Sequence, residues 1–326
     1  MPVIANTLRT TDMKTNREEL ADVIDMIAPE DTPLYTMARK ATAKSTHPEW
    51  PIDDLAAPTD NAQEEGAEFV YQAATPPERV GNYTQIFMKS GIVSGTQEVV
   101  DDAAGAGKIN YQKAKKGVEL RKDIEFSLVS NTPSQSGNTR RSGGMPTWIT
   151  TNANRGSGGA NGGYDPSSGS TVAETLGTQR DFTKDLLDDV LQQMYNAGAS
   201  PSRMVCSPRV KSDFVKFMSD ANVASFRYAA QRGQRNVIIG TADVYLSPFG
   251  EVTVVPNRVM ATNADVARRV FIVDTSVHRW AWLRRIREVP NLARTGDAEK
   301  FVLLGEGGYT PTNEKGLGVV ADVNGL

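Results

Sequence analysis

The sequence is poor in the residues that most often carry chemistry in proteins. Among its 326 residues it has one cysteine, Cys206, and two histidines, His47 and His278. A single cysteine excludes an intrachain disulfide framework and the usual multi-cysteine zinc sites. The two histidines lie far apart in the sequence, and Cys206 lies in an apolar strand pattern, where a free cysteine is usually a small buried hydrophobe. We therefore predict no catalytic residue, no metal site and no cofactor.

Long apolar runs and a positive net charge are also lacking. No window approaches the roughly 18 apolar residues that a membrane span needs, and residues 1–5 lack the charged start of a signal peptide. The formal net charge is −3, so no overall basic field attracts nucleic acid. These features predict a soluble, unexported protein that makes no membrane contact and touches DNA only weakly.

Motifs of the common enzyme classes are missing as well. The segment 105–108 (GAGK) is like part of a phosphate-binding loop, but Asp102 stands where that loop needs a glycine and Ile109 follows the lysine. Gly-x-Ser-x-Gly and Gly-x-Gly-x-x-Gly patterns do not occur where strand and helix patterns would support them. An α/β hydrolase or transferase stays a distant alternative, which would require a pocket with perturbed carboxylates or a nucleophile.

The first part of the chain predicts extended structure around one helix. Four apolar residues recur there at helical spacing: Leu20, Val23, Ile24 and Ile27. Residues 46–68 contain three prolines and seven acids but no Lys or Arg, which predicts an acidic, extended arm that is more often solvated than metal-binding. Strand patterns at 68–72 and 83–88, with turn residues at 76–82 between them, predict a long protruding hairpin.

A long charged helix is predicted at residues 108–131. Its packed face should carry Ala114, Val118, Ile124 and Leu128. Opposite charges four residues apart should pair, Lys115 with Glu119 and Arg121 with Glu125. The following residues, 132–170, are rich in Gly, Ser, Asn and Thr and predict a long surface loop.

The second half predicts a compact unit of helices and strands. One helix should end at Gly198, and its apolar face is formed by Phe182, Leu186, Leu187, Val190, Leu191 and Met194. A strand at 204–206 precedes a second helix that begins at Ser207-Pro208. Runs of β-branched residues at 252–255 and 270–273 predict the middle strands of a sheet, and further strands are predicted at 301–304 and 317–320. The fold class is mixed α+β.

Charge is distributed unevenly along the chain. Residues 49–68 are purely acidic in their charge, whereas arginines cluster later, at Arg268, Arg269, Arg279, Arg284, Arg285 and Arg287. In one interpretation, the acidic segment and the arginine cluster are simply two solvated faces. In the other, the acidic arm of one copy docks on the basic surface of the next and sets the register of association. Protruding parts on a compact body suit heterologous contacts, which close into rings or shells when repeated.

Several segments also match a known pattern in their order and spacing. The strongest are 83–87 (YTQIF), 93–98 (VSGTQE) and 119–125 (ELRKDIE), supported by 207–208 (SP), 249–258 (FGEVTVVPNR) and 281–284 (AWLR). Together they resemble phage major capsid proteins of the Hong Kong 97 (HK97) fold, and most closely the SU10-like major head protein family. The resemblance covers most of the chain. No single segment is specific, but their order is.

The resemblance implies an HK97-like fold, mixed α+β, with six parts. These are an N-terminal arm (1–45), an extended β-hairpin loop reaching a neighbouring subunit (46–95), a peripheral domain with a spine helix (96–131), a Gly/Ser-rich surface loop (132–174), an axial domain with a central sheet (175–284), and C-terminal strands returning to the peripheral domain (285–326).

The resemblance further implies a major capsid (head) protein, not an enzyme, that assembles into hexamers and pentamers of an icosahedral shell around the phage genome. Its partners would be other copies of itself, a portal protein, scaffolding and decoration proteins where these exist, and double-stranded DNA by weak non-specific contact. It would be assembled in the host cytoplasm and reside in the virion. The expected intersubunit contacts are Leu20, Val23, Ile27, Glu64, Glu65, Phe69 and Tyr71, with Arg284, Arg285 and Arg287 as acceptors.

Two departures from relatives sharpen this expectation. Some relatives lock the shell through a covalent bond from an extended-loop lysine, but no lysine lies between Glu49 and Met88, only Lys44 and Lys89 at its base. This predicts a non-covalent shell. No long helical pro-segment is evident before the arm, so we expect a separate scaffolding protein or none. An encapsulin-type nanocompartment, with enzyme cargo in place of a genome, is the alternative with the same fold.

Overall fold

The computed structural model describes residues 32–66, 68, 71, 73–100, 108–217, 243–293 and 296–326. The helices within these ranges are α1 (Pro33–Met37), α2 (Gly95–Val99), α3 (Ile109–Val129), α4 (Lys184–Asn196), α5 (Pro208–Phe217) and α6 (Ala264–Ala267). The strands are β1 (Arg39–Thr42), β2 (Glu49–Ile52), β3 (Glu78–Gly81), β4 (Gln85–Ser94), β5 (Ala153–Asn154), β6 (Gly163–Asp165), β7 (Ser170–Val172), β8 (Arg203–Cys206), β9 (Val244–Ser247), β10 (Gly250–Pro256), β11 (Arg269–Val273), β12 (Arg279–Glu288), β13 (Ala298–Tyr309) and β14 (Leu317–Ala321). The predicted mixed α+β class is confirmed.

A six-stranded sheet with the order β5-β14-β11-β8-β10-β9 forms one half of the core. Its inner strands β10 and β11 are the short apolar runs predicted as middle strands, and β8, the predicted strand at 204–206, lies between them. All five residues of β11 are buried. The buried stripe of α4 packs against one sheet face through Leu187, Val190, Leu191 and Met194. Gly198, at φ +85°, ends this helix in the left-handed conformation that glycine adopts without strain. The predicted helix and its stop are confirmed.

A four-stranded sheet with the order β1-β12-β13-β4 forms the other half. Helix α3 lies across one face of this sheet, where Phe87 and Val93 of β4 and Phe301 of β13 are buried. The predicted long helix is therefore confirmed, but its packed face is only partly as expected. Ile124 and Leu128 are fully buried, whereas Ala114 is exposed.

The hairpin is built from other strands than predicted. Strand β2 pairs antiparallel with β3, with Trp50 opposite Val80, and β4 pairs with β13. The predicted pairing of 68–72 with 83–88 is not tested, because 69, 70 and 72 lie outside the described residues, but part of the predicted turn is strand β3. The reason is tertiary: Trp50 and Val80 are anchored in the main core, while β4, apolar on both faces, is held by β13. The tip of the hairpin is therefore the segment 53–77.

The predicted surface loop at 132–170 is largely packed into the body, so that prediction was wrong. Met145, Trp148 and Ile149 are buried. Gly144 lets the chain pass so close that a Cβ there would lie 2.0 Å from the Ser130 carbonyl oxygen. Hydroxyl groups satisfy much of its backbone, as where the Ser134 amide donates to Thr171 Oγ1 at 2.8 Å. Average composition hid these few apolar anchors.

The predicted helix pairing fails. Glu125 does not pair with Arg121 on the surface but is buried in the core, and Glu119 pairs with Lys116 at 2.7 Å. Of the C-terminal strands, β13 joins the four-stranded sheet and β14 joins the six-stranded sheet beside β11. β12, which begins inside the predicted axial part 175–284, belongs to the four-stranded sheet.

Candidate assembly surfaces

The arginine cluster does not form one basic surface. Arg269 is fully buried and pairs with Glu174, which Arg155 contacts from another side. Arg268 pairs with the buried Asp322 at 2.7 Å. These arginines hold the fold together and are not free to receive a partner. The prediction of a six-arginine docking surface was therefore wrong for Arg268 and Arg269.

Arg284 lies at the surface but already forms an ion pair with a carboxylate of its own subunit, that of Glu306. Its Nη2 is 2.7 Å from Glu306 Oε2, and Arg140 Nη2 is 2.7 Å from the other carboxylate oxygen. Thr84 Oγ1 also donates to Glu306, at 3.0 Å. Burial acts to raise the pKa of Glu306, but the hydrogen bonds from Arg284, Arg140 and Thr84 hold that pKa below its usual value. Two arginines share one carboxylate, so this cluster carries a net positive charge.

The face of the four-stranded sheet opposite α3 is apolar and exposed. On β4, Ile86, Met88 and Ile92 are 48%, 58% and 61% exposed. Directly opposite residues of an antiparallel pair lie on the same face, so Leu304 opposite Met88 and Val302 opposite Ser90 belong to it as well. We call these five residues the outer sheet face: Ile86, Met88, Ile92, Val302 and Leu304. By the same rule Lys300, opposite Ile92, and Glu306, opposite Ile86, lie on this face at the rim of the apolar residues. Exposed apolar patches rimmed by polar residues often mark interaction sites.

Two arginines of β12 border the outer sheet face. Arg284 lies opposite Glu306, which itself faces Ile86, and Arg287 lies opposite Leu304. Both Arg284 and Arg287 are exposed. Arg285 is also exposed, but it is not among the residues of β12 that are paired with β13. The strand pairing thus places Arg284 and Arg287 at one border of the outer sheet face.

The hairpin tip is an exposed acidic segment that carries apolar side chains. Glu64 and Glu65 are exposed, as are Leu55 at 99% and Tyr71 at 92%. Phe69 and the arm residues Leu20, Val23 and Ile27 lie outside the described residues, so their predicted contacts are not tested. Charge and exposed apolar surface therefore occur on the same protruding segment.

The root of the hairpin is fixed to the body. Trp50, Trp148 and Tyr164 stack in series, with ring centroids 5.5 Å and 5.9 Å apart. Lys315 pairs with Asp54 at 2.6 Å, beside a cavity of about 210 Å³ that these aromatic rings line. The root of the hairpin is therefore packed against the body by aromatic contacts and one ion pair.

Cys206 and His278 belong to residue types that often carry chemistry, but both are buried in the core of this subunit. Burial raises the pKa of Cys206 to about 12 and lowers that of His278 to about 4, so the thiol is protonated and the imidazole is neutral at pH 7. Across the described ranges, no group of three His, Cys, Asp or Glu side chains could hold a metal ion. The same ranges contain no helix that is long and apolar enough to cross a bilayer.

The outer sheet face was not predicted, although the apolar pattern of β4 in the sequence indicates it. The run Ile86-Phe87-Met88 and the pair Ile92-Val93 place apolar residues on both faces of β4. Strands that are apolar on both faces are usually covered on both faces. Helix α3 covers one face of β4, and within the described residues the other face is exposed.

Comparison with known proteins agrees with this architecture. The SU10 major capsid protein family model matches residues 5–324. The major capsid protein of Escherichia phage Phieco32 is 31% identical over 120 residues, which is 36% of this chain and 34% of that protein, so the chain spans about a third of that relative in the alignment.

Solved capsid structures share the fold. The capsid of a native GTA particle, computed with C5 symmetry, superposes with a TM-score of 0.65 at 14% identity and covers 96% of this chain and 97% of that one. The Cyanophage A-1(L) capsid gives 0.58 at 11% identity over 97% and 98%. These likenesses confirm the predicted HK97-like fold. With the family match over nearly the whole length, they establish that the chain belongs to the SU10 major capsid protein family.

Proposed function

We propose that this major capsid protein forms the icosahedral shell of a tailed phage, assembling as hexamers and pentamers around the genome. The observation that carries the proposal is the pairing, on one subunit, of an exposed apolar sheet face and a protruding loop able to cover it. Neither surface is needed for the fold of the subunit. Both are explained if the loop of one copy covers the outer sheet face of the next.

The two surfaces are complementary in chemistry. The loop offers Leu55 and Tyr71 as apolar groups and Glu64 and Glu65 as anions. The outer sheet face offers apolar side chains of β4 and β13, with the positive Arg284 and Arg287 at its border. Apolar burial would supply most of the free energy, and the charges would set register and exclude wrong docking. Arg285 has no assigned place at this border and is left out of the proposed contact.

Such a contact is heterologous, because different patches of each copy meet. Heterologous contacts repeat around a ring and close it when the rotation allows. Each subunit both gives a loop and receives one, so every contact in the ring is supported by its neighbours. No catalytic step is needed, and we infer that the chain is not an enzyme.

The remaining partners follow from a shell that must be filled and closed. We propose assembly in the host cytoplasm, residence in the virion, a portal protein at one vertex, and scaffolding or decoration proteins where the phage encodes them. The formal net charge of −3 supports only weak, non-specific contact with packaged double-stranded DNA. The matched family and relative are phage capsid proteins, which favours a genome over the enzyme cargo of an encapsulin-type compartment.

The shell should be held by non-covalent contacts alone. No lysine lies between Glu49 and Met88, so the hairpin tip has no amine to form an isopeptide bond. Purified particles boiled in detergent should therefore run as a single band of 35.3 kDa on a denaturing gel. A ladder of cross-linked species would contradict this expectation.

Reversing the charge of the loop should impair assembly. The double variant Glu64→Lys/Glu65→Lys places two cations against Arg284 and Arg287, so we expect at least a tenfold lower particle yield, roughly 1.4 kcal/mol per contact or more. Particle yield is measured by sedimentation at low and at high salt, because salt screens the repulsion. The control is Asp60→Asn/Gln63→Glu, which keeps the net charge of the loop. Normal yield of the charge-reversed variant at both salt concentrations would exclude the electrostatic part.

Self-assembly itself is tested by expressing the chain alone and following it by size-exclusion chromatography and negative-stain electron microscopy. Capsomers, shells or tubes are the expected result, and nucleic acid or protein cargo inside them separates a virus from a nanocompartment. A monomer that stays monomeric when co-expressed with the neighbouring phage genes would refute the proposal.

A further inference from the structure

Glu125 joins three separate parts of the chain through one buried carboxylate. It lies on the buried face of α3 and is 0% exposed. Its Oε2 accepts a hydrogen bond from the Tyr35 amide at 2.7 Å, and its Oε1 accepts from the Leu34 amide at 3.0 Å. Oε1 also accepts from Asn257 Nδ2 at 2.6 Å, just beyond β10. The carboxylate thus ties α1 to α3 and to the end of a strand of the other sheet.

Helix α1 depends on this distant carboxylate for its N-terminal end. The residue at its N-cap, Thr32, makes no side-chain capping hydrogen bond. The first amides of a helix have no partner within the helix, so Glu125 satisfies the two that Leu34 and Tyr35 present. Helix α1 is where the N-terminal segment, residues 1–31, joins the described body. Whatever holds α1 therefore fixes the point at which the described structure begins.

His278 holds the same turn from the opposite side. Its Nε2 lies 2.8 Å from the Leu34 carbonyl oxygen, and its Nδ1 lies 3.1 Å from Tyr309 Oη. A carbonyl can only accept, so Nε2 carries the hydrogen and Nδ1 accepts from Tyr309. Burial lowers the pKa of His278 to about 4, so this arrangement does not change near neutral pH.

The charges that face Glu125 do not neutralise it. Lys40 of β1 places its ammonium over the Tyr35 ring, 3.3 Å from the centroid, and acts on Glu125 only through its field. Arg121 lies one turn earlier on α3 and is exposed. Tyr35 and Tyr309 have a raised pKa from burial and stay neutral. Within the described residues, no cation forms an ion pair with Glu125, so its charge is buried against neutral donors, which is costly.

We propose that Glu125 is a pH-sensitive clasp on the root of the N-terminal segment, tight when the carboxyl is protonated and loosened as it ionises. This goes beyond the shell function and does not depend on it, because the clasp lies within one subunit. The geometry couples the charge of one side chain to the attachment of one helix. A change of pH would then alter how firmly α1, which follows residues 1–31 in the chain, is held to α3.

The titration of Glu125 supports this direction. Burial raises its pKa to about 7, although the hydrogen bonds from Tyr35, Leu34 and Asn257 and the charge of Lys40 act to lower it. A carboxyl whose pKa is higher in the closed state than in water binds its proton more tightly when closed. The stabilisation is therefore complete below the ordinary carboxyl pKa and is lost as the pH rises through about 7.

Lys40 acts in the opposite direction at slightly higher pH. Burial lowers its pKa to about 8, so the closed state binds this proton less tightly than the open state does and gains stability as Lys40 loses it above about pH 8. Its ammonium also donates to the Tyr35 carbonyl oxygen, in the same turn of α1. The loosening with rising pH up to about 7.5 therefore comes from Glu125.

The test is amide hydrogen exchange of the intact, dispersed subunit between about pH 5.5 and about pH 7.5, below the titration of Lys40, corrected for the intrinsic rate at each pH. We expect protection of the amides at 34–38 to fall at least about tenfold over this range, while α4 keeps its protection. Glu125→Gln keeps the size of the side chain and removes the titration, so protection at 34–38 should then stay nearly constant over this range. The matched control is Glu119→Gln, on the same helix at its surface.

Three outcomes would overturn the proposal. In the wild-type protein, protection at 34–38 that rises with pH, or that parallels α4 at every pH, contradicts the clasp without need of any variant. A Glu125→Gln variant with the full wild-type pH dependence would assign that dependence to other groups. Because the measurement uses dispersed subunits, a failure here leaves the assembly proposal untouched, and a failure of assembly leaves the clasp measurable.

Discussion

The double variant Met88→Glu/Ile92→Glu should fold normally and form no shells. Both side chains are more than half exposed on the outer sheet face, so carboxylates there are solvated in the free subunit. In the proposed contact they would be buried against the neighbour's loop. Burying a side chain of this size contributes roughly 1.5–3 kcal/mol, and desolvating a carboxylate adds a further penalty. A shell in which every subunit carries this defect twice should not assemble.

Assembly of this variant is measured by sedimentation and electron microscopy, with circular dichroism and thermal unfolding to establish that the subunit is intact. The matched control is Met88→Leu/Ile92→Leu, which keeps the apolar character and should give shells. Normal particles from the glutamate variant would mean that the outer sheet face stays exposed in the shell. The proposed docking of the hairpin loop would then be wrong.

Glu174→Gln should destabilise the subunit by about 3–5 kcal/mol, the usual cost of removing one partner from a buried ion pair. The Glu174 side chain is 0% exposed and contacts the guanidinium groups of both Arg155 and Arg269, whose own side chains are 6% and 1% exposed. Its loss leaves two buried cations without an anion. The packed segment 132–170 and strand β11 would lose their mutual attachment.

The measurement is the free energy of unfolding from urea titration of the dispersed subunit at neutral pH. Glu119→Gln serves as the control, because its partner Lys116 and Glu119 itself are about one-third exposed and such surface pairs contribute roughly 1 kcal/mol or less. If the two variants lose the same free energy, the Arg155–Glu174–Arg269 cluster is not the attachment that the structure indicates.

Local patterns predicted the regular elements well, for identifiable reasons. The stripe of α4 and the left-handed Gly198 that ends it are encoded within fifteen residues, as are the β-branched runs of β10 and β11. Each element buries a face that its own sequence defines. Prediction of their existence needs no knowledge of what they pack against.

Predictions failed where the partner is distant in sequence. Glu125 looks like a surface charge four residues after Arg121, yet its partners lie 90 and 132 residues away. Strand β3 was hidden because Val80 is fixed by Trp50 and the core behind it. The segment 132–170 looks like a loop until Met145, Trp148 and Ile149 are given a core to enter.

The candidate site was half predictable. An acidic protruding loop and acceptors at Arg284 and Arg287 follow from charge patterning, and the structure places these arginines beside one exposed face. Arg268 and Arg269 were misjudged because a sequence does not reveal that Glu174 and Asp322 neutralise them within the subunit. The apolar half of the site is present in the sequence pattern of β4. Recognising it as a site required the knowledge that α3 covers only one face of this strand.

The central claim is that the hairpin tip of one subunit covers the outer sheet face of its neighbour, and it is tested most directly by an electron cryomicroscopy reconstruction of assembled particles. We expect density for residues 53–77 of one copy to lie across Met88 and Ile92 of the adjacent copy. The acidic side chains of that segment should lie near Arg284 and Arg287 of the adjacent copy. Density that leaves this sheet face bare, or covers it with another part of the chain, would contradict it.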